Sequence, residues 1–89
     1  MKALSQTKQF EKDLKRVLKR GKDLDKLKTV VSFLAQGQEL DPKYRVHPLQ
    51  GNWKDSRDCH IEPDWLLVYT TDTEFLRLER TGSHSDLFR

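Results

Sequence analysis

The chain is poor in cysteine and has no long hydrophobic run. Cys59 is the one cysteine among its 89 residues, so neither an intrachain disulfide nor a zinc cluster of cysteines within one chain can form. Met1–Phe10 contains no apolar segment of the kind that a secretion signal requires. No apolar run approaches the roughly 20 residues that span a bilayer. We therefore expect a cytoplasmic protein that makes no membrane contact.

Hydrophobic residues are scarce as well. They make up 35% of the chain, and charged residues make up another 35%. Without internal repeats or low-complexity tracts, residues 1–89 should form a single domain around one compact core. Such a core leaves no room for a large buried cavity. Any active site should therefore be a shallow surface cleft, which suits a polymer substrate better than an enclosed metabolite.

Positive charge is concentrated in the first half of the chain. Residues 1–46 hold 12 Lys+Arg against 6 Asp+Glu, whereas residues 47–89 hold 5 against 8. The surplus of +6 and the deficit of −3 add to the net charge of +3. A basic half attracts polyanions such as RNA or an acidic protein partner. The simpler explanation is a pair of solvated helices with lysine-rich outer faces.

Two amphipathic helices are predicted at the start of the chain. In the first, apolar residues recur at i, i+4, i+7 and i+8 from Phe10, with Thr7 as a candidate N-cap and Gly21 after the end. In the second, a stripe over Leu24–Leu34 ends before Gly37. The short turn between them indicates a helical hairpin.

The remaining elements are predicted to be strands. Trp65–Thr71 is an apolar run of strand length, Phe75–Thr81 alternates clearly, and Lys54–Ile61 alternates weakly. Lys2–Ser5 could add one more strand, and Ser83 can cap a terminal helical turn. The expected order is β-α-α-β-β-β with a short C-terminal helical turn. Helices on one face of a mostly antiparallel sheet make this an α+β fold.

The segment Asp41–Trp53 differs from its neighbours. Pro42, Pro48 and Gly51 interrupt any regular pattern there. We expect an ordered connection without a regular element.

Side chains suited to proton transfer all lie in the second half. The three histidines, His47, His60 and His84, sit near predicted element boundaries, and histidine is the side chain best suited to proton transfer near neutral pH. RNA cleavage by its own 2′-hydroxyl needs a base, an acid and donors for the charge on the phosphate. The histidines, with Asp64 and Arg80, could supply all of these without a metal.

Each of these residues also has a simpler explanation. A histidine near a turn is more often a hydrogen-bonded surface residue than a catalyst. Asp64 could cap the turn at Pro63, and Arg80 could pair with Glu79 or Glu62 across strands.

The aromatic and metal-ligating residues also allow simple explanations. Trp53 and Trp65 are more typical of a core than of a base-stacking platform, and Cys59 is typical of a small buried apolar residue. A zinc site is a weaker hypothesis, because the histidines show no HxH or HxxxH spacing.

Two runs of the sequence carry a family resemblance. His47–Tyr69, HPLQGNWKDSRDCHIEPDWLLVY, resembles the signature stretch of the YafQ branch of the RelE/ParE toxin superfamily. Leu76–Phe88, LRLERTGSHSDLF, resembles the C-terminal signature of that branch, and KRGKDLDKLKTVVSFL resembles its second helix. The motifs HPLxGxW, RDxHxxPDW and ERTGxHxxLF, in this order and spacing, are together highly specific.

The resemblance implies a RelE-like α+β fold and a toxin of a type II toxin-antitoxin system. Its activity would be ribosome-dependent cleavage of mRNA in the A site, leaving a 2′,3′-cyclic phosphate or 3′-phosphate and a 5′-hydroxyl. A DinJ-like antitoxin would neutralise the toxin, and the complex of the two would bind operator DNA. The resemblance implies no cofactor and no metal.

The resemblance also assigns site residues. The catalytic set would be His47, His60, Asp64, Arg80 and His84, and the substrate-binding set Trp65, Phe88 and Lys54. We expect His84 to be the general acid, with Asp64 or His60 as the base.

The other residues of these two sets would bind or orient the RNA substrate. Arg80 would stabilise the charge on the scissile phosphate, and His47 would orient it. Phe88 and Trp65 would shape the pocket or stack on a nucleotide. The basic helices over Lys12–Lys28 would contact ribosomal RNA through its phosphates.

Two other functions fit parts of this pattern. ParE-like relatives of the same superfamily inhibit DNA gyrase and are not nucleases, a role that the set of histidines argues against. A non-catalytic basic binding module would explain the charge alone.

Overall fold

The computed structural model describes residues 1–49 and 55–88. Within them the chain forms a sheet in the order β1-β5-β4-β3-β2. β1 lies parallel to β5, and the other neighbouring strands are antiparallel. The elements are β1 (Ala3–Gln6), α1 (Lys8–Lys19), α2 (Leu24–Ala35), a 3-10 helix (Pro42–Tyr44), β2 (His47–Pro48), β3 (Arg57–Glu62), β4 (Trp65–Thr71), β5 (Phe75–Gly82) and α3 (His84–Leu87).

Local chemistry sets the helix ends. The Thr7 hydroxyl accepts the Phe10 backbone N–H at 2.9 Å and donates to the Glu79 carbonyl at 2.8 Å, so the start of α1 is tied to β5. The Asp23 side chain caps α2. Gly37, after the end of α2, has a φ of +73°, which glycine adopts at little cost. The predicted α+β architecture, with its two N-terminal helices, mostly antiparallel sheet and short terminal helix, is confirmed.

Both long helices contribute to one core with a single face of the sheet. Cys59 of β3 also packs in this core, and burial raises the pKa of its thiol to about 12, so the residue is an inert apolar side chain. The largest members of the core are Phe10, Val17, Leu27, Val30, Leu34, Ile61, Trp65, Leu67, Tyr69, Leu76 and Leu78. The opposite face of the sheet carries the candidate site.

The connection over Asp41–Trp53 has more regular structure than predicted. Proline has a fixed φ that suits the start of the 3-10 helix Pro42–Tyr44. Arg45 then adopts a left-handed conformation and turns the chain, which lets His47–Pro48 pair with Arg57–Asp58 as β2. The prediction of no regular element is therefore wrong, because backbone pairing needs no sequence alternation.

The predicted roles of Gly51, Trp53 and Lys54 lie outside the described residues. Among those described, no helix combines the length and apolar character needed to cross a membrane.

Candidate active site

The sheet register brings His47 and His60 to one end of the sheet. His47 in β2 lies directly opposite Asp58 in β3, and His60 follows two residues later. Successive side chains of a strand alternate between faces, so Asp58 and His60 share the face opposite the core residue Cys59. The His47 and His60 ring centroids are 6.1 Å apart. Two imidazoles from neighbouring strands thus converge.

His84 joins this pair from the start of α3. Its ring centroid lies 5.4 Å from that of His60. Asp64, in the turn between β3 and β4, accepts the His84 backbone N–H at 2.9 Å, and its Oδ1 lies 2.6 Å from His84 Nδ1. The side chains are well exposed, 52% for His84 and 67% for Asp64. The structure therefore gathers three histidines and a carboxylate on one open rim.

Asp64 determines which nitrogen of His84 faces the cleft. The backbone and then the side-chain bond from His84 hold the pKa of Asp64 below its usual value, so the carboxylate is ionised at neutral pH. An ionised carboxylate only accepts hydrogen bonds, so the Nδ1 that faces it carries a hydrogen. His84 Nε2 is then the nitrogen available to a substrate.

A second carboxylate fixes α3 itself. Ser83 and Asp86 form a reciprocal cap, with the Ser83 N–H donating to Asp86 Oδ2 at 2.9 Å and the Asp86 N–H donating to Ser83 Oγ at 3.2 Å. Arg20 of α1 binds the same carboxylate at 2.6 Å and holds the pKa of Asp86 far below its usual value. A Cβ on Gly82 would lie 2.8 Å from Asp86 Oδ2, so only glycine permits this approach.

Arg80 is anchored to a carboxylate that the sequence did not reveal as part of the site. Its Nε and Nη2 lie 2.7 Å and 3.2 Å from the two oxygens of Asp13 in α1. The Asp13 side chain is 0% exposed and also accepts from Gln9, Arg16 and the Thr81 N–H. Burial alone would raise the pKa of Asp13, but these bonds outweigh it and the pKa is lowered.

The register sets the distance from Arg80 to the histidines. Arg80 lies opposite Val68, Val68 opposite Asp58, and Asp58 opposite His47. With neighbouring strands about 4.8 Å apart, the backbones of Arg80 and Asp58 are about 10 Å apart. Arg80 is therefore across the sheet from the histidine rim and on the same cross-strand row as His47.

The simpler explanations for Arg80, pairing with Glu79 or Glu62, and for Asp64, capping the turn at Pro63, do not describe the contacts that these residues make. Arg80 pairs with Asp13, whereas Glu79 accepts from Arg77 and Glu62 binds two lysines. Asp64 binds the backbone and ring of His84.

Asp58 is a further site residue that sequence reasoning missed. Its Oδ1 lies 3.8 Å from His47 Nδ1. Within the described part of the chain, Asp58 Oδ1 and His60 Nδ1 are buried atoms without a hydrogen-bond partner, a state that costs about 1–3 kcal/mol per group. Asp58 Oδ1 is thus close to His47 but is hydrogen-bonded to neither imidazole. The sequence feature that could have identified Asp58 is its position two residues before His60, because alternate side chains of a strand lie on the same face.

The three predicted substrate-binding residues have different outcomes. Trp65 is 1% exposed and its indole N–H donates to Thr81 Oγ at 2.9 Å, so it is a core residue and the prediction that it contacts substrate is wrong. Phe88 is 38% exposed and its N–H donates to the His84 carbonyl, which keeps it beside the rim. Lys54 lies outside the described residues.

Solved structures match the whole fold. A chain of the crystal structure of the E. coli DinJ-YafQ complex has a TM-score of 0.93 at 43% identity, covering 100% of both chains. A metal-bound toxin from Helicobacter pylori has a TM-score of 0.92 at 50% identity, covering 99% of this chain and 100% of that one. Among residues 1–49 and 55–88 here, no group of three His, Cys, Asp or Glu side chains is arranged to hold a metal ion.

Sequence relatives match over nearly the same length. The mRNA interferase toxin YafQ of Escherichia coli K12 is 48% identical over 81 residues, which cover 90% of this chain and 88% of that protein. The profile of the family described as YafQ, a bacterial toxin of type II toxin-antitoxin systems, matches residues 2–89. The chain therefore belongs to the YafQ family of type II toxin-antitoxin toxins.

Proposed function

We propose that this toxin is an endoribonuclease that cleaves mRNA in the ribosomal A site by metal-independent attack of a 2′-hydroxyl. The observation that carries the proposal is the pair of His60 and His84 rings, 5.4 Å apart, with Asp64 bound to His84 on an exposed rim. Imidazoles at this separation can bracket one phosphodiester. The relative named mRNA interferase toxin supports the same activity.

His84 is the general acid. Asp64 stabilises the imidazolium at Nδ1, and Nε2 donates its proton to the leaving 5′-oxygen. This assignment follows from the 2.6 Å contact between Asp64 Oδ1 and His84 Nδ1, because an imidazole held in one orientation presents one nitrogen to the substrate.

His60 is the general base. The sequence allowed either Asp64 or His60 as the base. Asp64 already binds the backbone N–H and the ring of His84, so we assign this role to His60. His60 takes the 2′-hydroxyl proton, the 2′-oxygen attacks phosphorus, and the bond from phosphorus to the 5′-oxygen breaks. The products are a 2′,3′-cyclic phosphate and a 5′-hydroxyl.

The other site residues stabilise the charge on the phosphate and position the substrate. Arg80, preorganised by Asp13, offers its guanidinium to the phosphate in the transition state. His47 orients the phosphate from β2, and Phe88 packs against a nucleotide at the end of α3.

The ribosome supplies the geometry that this small rim lacks. Holding a flexible RNA strand in line for attack lowers the barrier by several kcal/mol, and an open cleft cannot impose that restriction alone. The exposed lysines of α1 and α2, within Lys12–Lys28, contact ribosomal RNA phosphates. Cleavage takes place in the cytoplasm, where the ribosomes are.

A protein partner completes the system. A chain similar to this one crystallised in the DinJ-YafQ complex, which supports a DinJ-like antitoxin for this toxin. The complex of the two proteins, rather than the toxin alone, would bind operator DNA.

Cleavage mapping on a defined transcript tests the proposal. Purified toxin is added with and without ribosomes, and primer extension locates the cuts. Discrete cuts in frame, present only with ribosomes and absent with a His84→Ala variant of normal fold, are expected. Intact mRNA together with gyrase-linked DNA damage would indicate the gyrase inhibitor instead. Toxicity that persists in His84→Ala at equal expression would indicate a non-catalytic binding module.

Chelation gives a separate test of the metal-free chemistry. Cleavage should survive EDTA when enough free magnesium is restored to keep the ribosomes intact. Loss of cleavage that trace zinc or copper restores would show that a transition metal takes part.

A further inference from the structure

A basic groove lies beside the histidine rim, and of the residues that line it only His60 takes part in the proposed cleavage step. Its volume is about 530 Å³, within the range of small-ligand sites. The 3-10 helix Pro42–Tyr44 and Arg45 line it together with Lys26 and Thr29 of α2 and the end of β3, including His60. His60 thus lines the groove and also belongs to the histidine rim.

The groove carries excess positive charge. Lys26, Lys43 and Arg45 line it together with Glu62. Glu62 is already paired, with its oxygens 2.7 Å from Lys22 Nζ and 2.9 Å from Lys26 Nζ. Lys43 and Arg45 are exposed, so two cations are available to an anionic ligand at the groove wall.

The same wall of the groove carries an aromatic ring, next to a residue with a strained backbone conformation. Tyr44 is half-buried and packs against the core, with Lys43 Nζ 5.2 Å from its ring centroid. Arg45 has φ 49° and ψ 61°, and among described residues it alone combines a positive φ with a side chain. The left-handed region costs about 1–2 kcal/mol for such a residue, and strain of this kind clusters at functional sites.

We propose that this groove binds the nucleotide next to the scissile phosphate. The phosphate of that nucleotide contacts Lys43 and Arg45, and its base packs against Tyr44, in the way that aromatic rings and cations together hold single strands. Because His60 borders both places, a strand that leaves the histidine rim enters the groove directly. The inference rests on the proposed nuclease function and adds a substrate subsite to it.

Binding of a non-cleavable RNA to the isolated toxin tests the groove. The probe is a 2′-O-methyl RNA trinucleotide, in which the attacking hydroxyl is blocked, titrated into ¹⁵N-labelled toxin. Amide shifts at Tyr44, Arg45 and Glu62 are expected. In the double variant Lys43→Ala/Arg45→Gln, the affinity should fall at least 10-fold. The slope of log K against log salt should become shallower by roughly 0.7 for each lost phosphate contact.

A charge-matched variant separates the groove from general attraction. Lys8→Ala/Arg77→Gln removes the same charge from exposed positions of α1 and β5 that do not line the groove, and its affinity should stay within twofold. Equal losses in both variants, unchanged affinity in the groove variant, or no amide shift at the groove in the unaltered toxin would each overturn the proposal. The proposal would also be overturned by a groove variant that binds RNA with normal affinity but no longer binds an acidic antitoxin.

The nuclease proposal can survive such a failure. It is tested by loss of cleavage in His84→Ala, which needs no groove contact. A toxin that cuts mRNA through His84, with a groove variant of normal RNA affinity, would reject the subsite alone.

Discussion

At the scale of single residues, the account depends on the roles of His60 and His84. Replacing His84 by Gln keeps a polar side chain of similar size but removes the imidazole that donates the proton. We expect cleavage on programmed ribosomes to fall by about 10²–10⁴-fold, with urea unfolding unchanged because the side chain is exposed. Single-turnover cleavage measures the loss. Activity within threefold of the unaltered toxin would remove His84 from the mechanism.

Asp64 should act through His84 rather than on the substrate. Asp64→Asn retains an acceptor for the His84 backbone N–H but no longer stabilises the imidazolium. A loss of about 10–100-fold in cleavage is expected, as for other groups that orient a catalytic residue. The matched control is Asp25→Asn, an exposed carboxylate in the first turn of α2. A loss as large as that of His84→Gln would make Asp64 a catalytic base.

At the scale of elements, α1 is the scaffold that holds Arg80. Asp13→Asn removes a buried charge that receives bonds from two arginines, so unfolding free energy should fall by about 2 kcal/mol. Cleavage should also fall because the guanidinium is no longer fixed. Urea denaturation measures the loss of unfolding free energy. Glu11→Gln, an exposed change on the same helix, should stay within about 0.5 kcal/mol, and an equal effect of the two would contradict the scaffold role.

The junction of β5 and α3 should tolerate no side chain at Gly82. The added methyl group of Gly82→Ala would lie 2.8 Å from Asp86 Oδ2 and 2.9 Å from Asp86 Cβ, so Asp86 must move and the cap on α3 is lost. We expect cleavage to fall more than stability does, since His84 begins that helix. Gly21→Ala meets nothing within 4 Å but also puts a side chain at a positive φ, +89°, so it is the control for backbone strain without a clash. Normal cleavage by Gly82→Ala would show that α3 can shift freely.

Elements with strong periodicity were predictable from sequence, and those defined by pairing were not. An apolar run of strand length located β4, and alternation located β5, almost to the residue. β2 has two residues, His47–Pro48, and depends on backbone pairing with β3. No local pattern marks Asp13 as buried, because its partner Arg80 is 67 residues away in the chain.

At the scale of the whole molecule, ion pairs between distant segments should make stability depend on pH. The pKa values of Asp13, Glu62 and Asp86 are lowered in the folded protein. Their stabilisation is thus fully present above the unfolded pKa of about 4 and is lost as the pH falls through the lower folded values. The urea midpoint should be constant from pH 7 to about 5 and drop below about pH 4. Equal stability at pH 7 and pH 3 would contradict this.

For the candidate site, the sequence predicted which side chains come together better than it predicted their arrangement. Family motifs named His47, His60, Asp64 and His84, which the fold does bring together on one rim. They could not show that Trp65 faces the core, since an apolar strand buried on both sides hides which face each residue takes. The partner Asp13 depends on a tertiary contact that no local pattern encodes, whereas the period of two in β3 could have placed Asp58 on the face of His60.

The most direct test of the account is a single 2′-deoxy substitution at the mapped cleavage position of an mRNA on programmed ribosomes. If the histidine rim activates the 2′-hydroxyl, the all-ribose transcript yields a 2′,3′-cyclic phosphate and a 5′-hydroxyl, and the substituted transcript stays intact at that position. Cleavage that persists at the deoxy position, or products with a 5′-phosphate, would contradict the account.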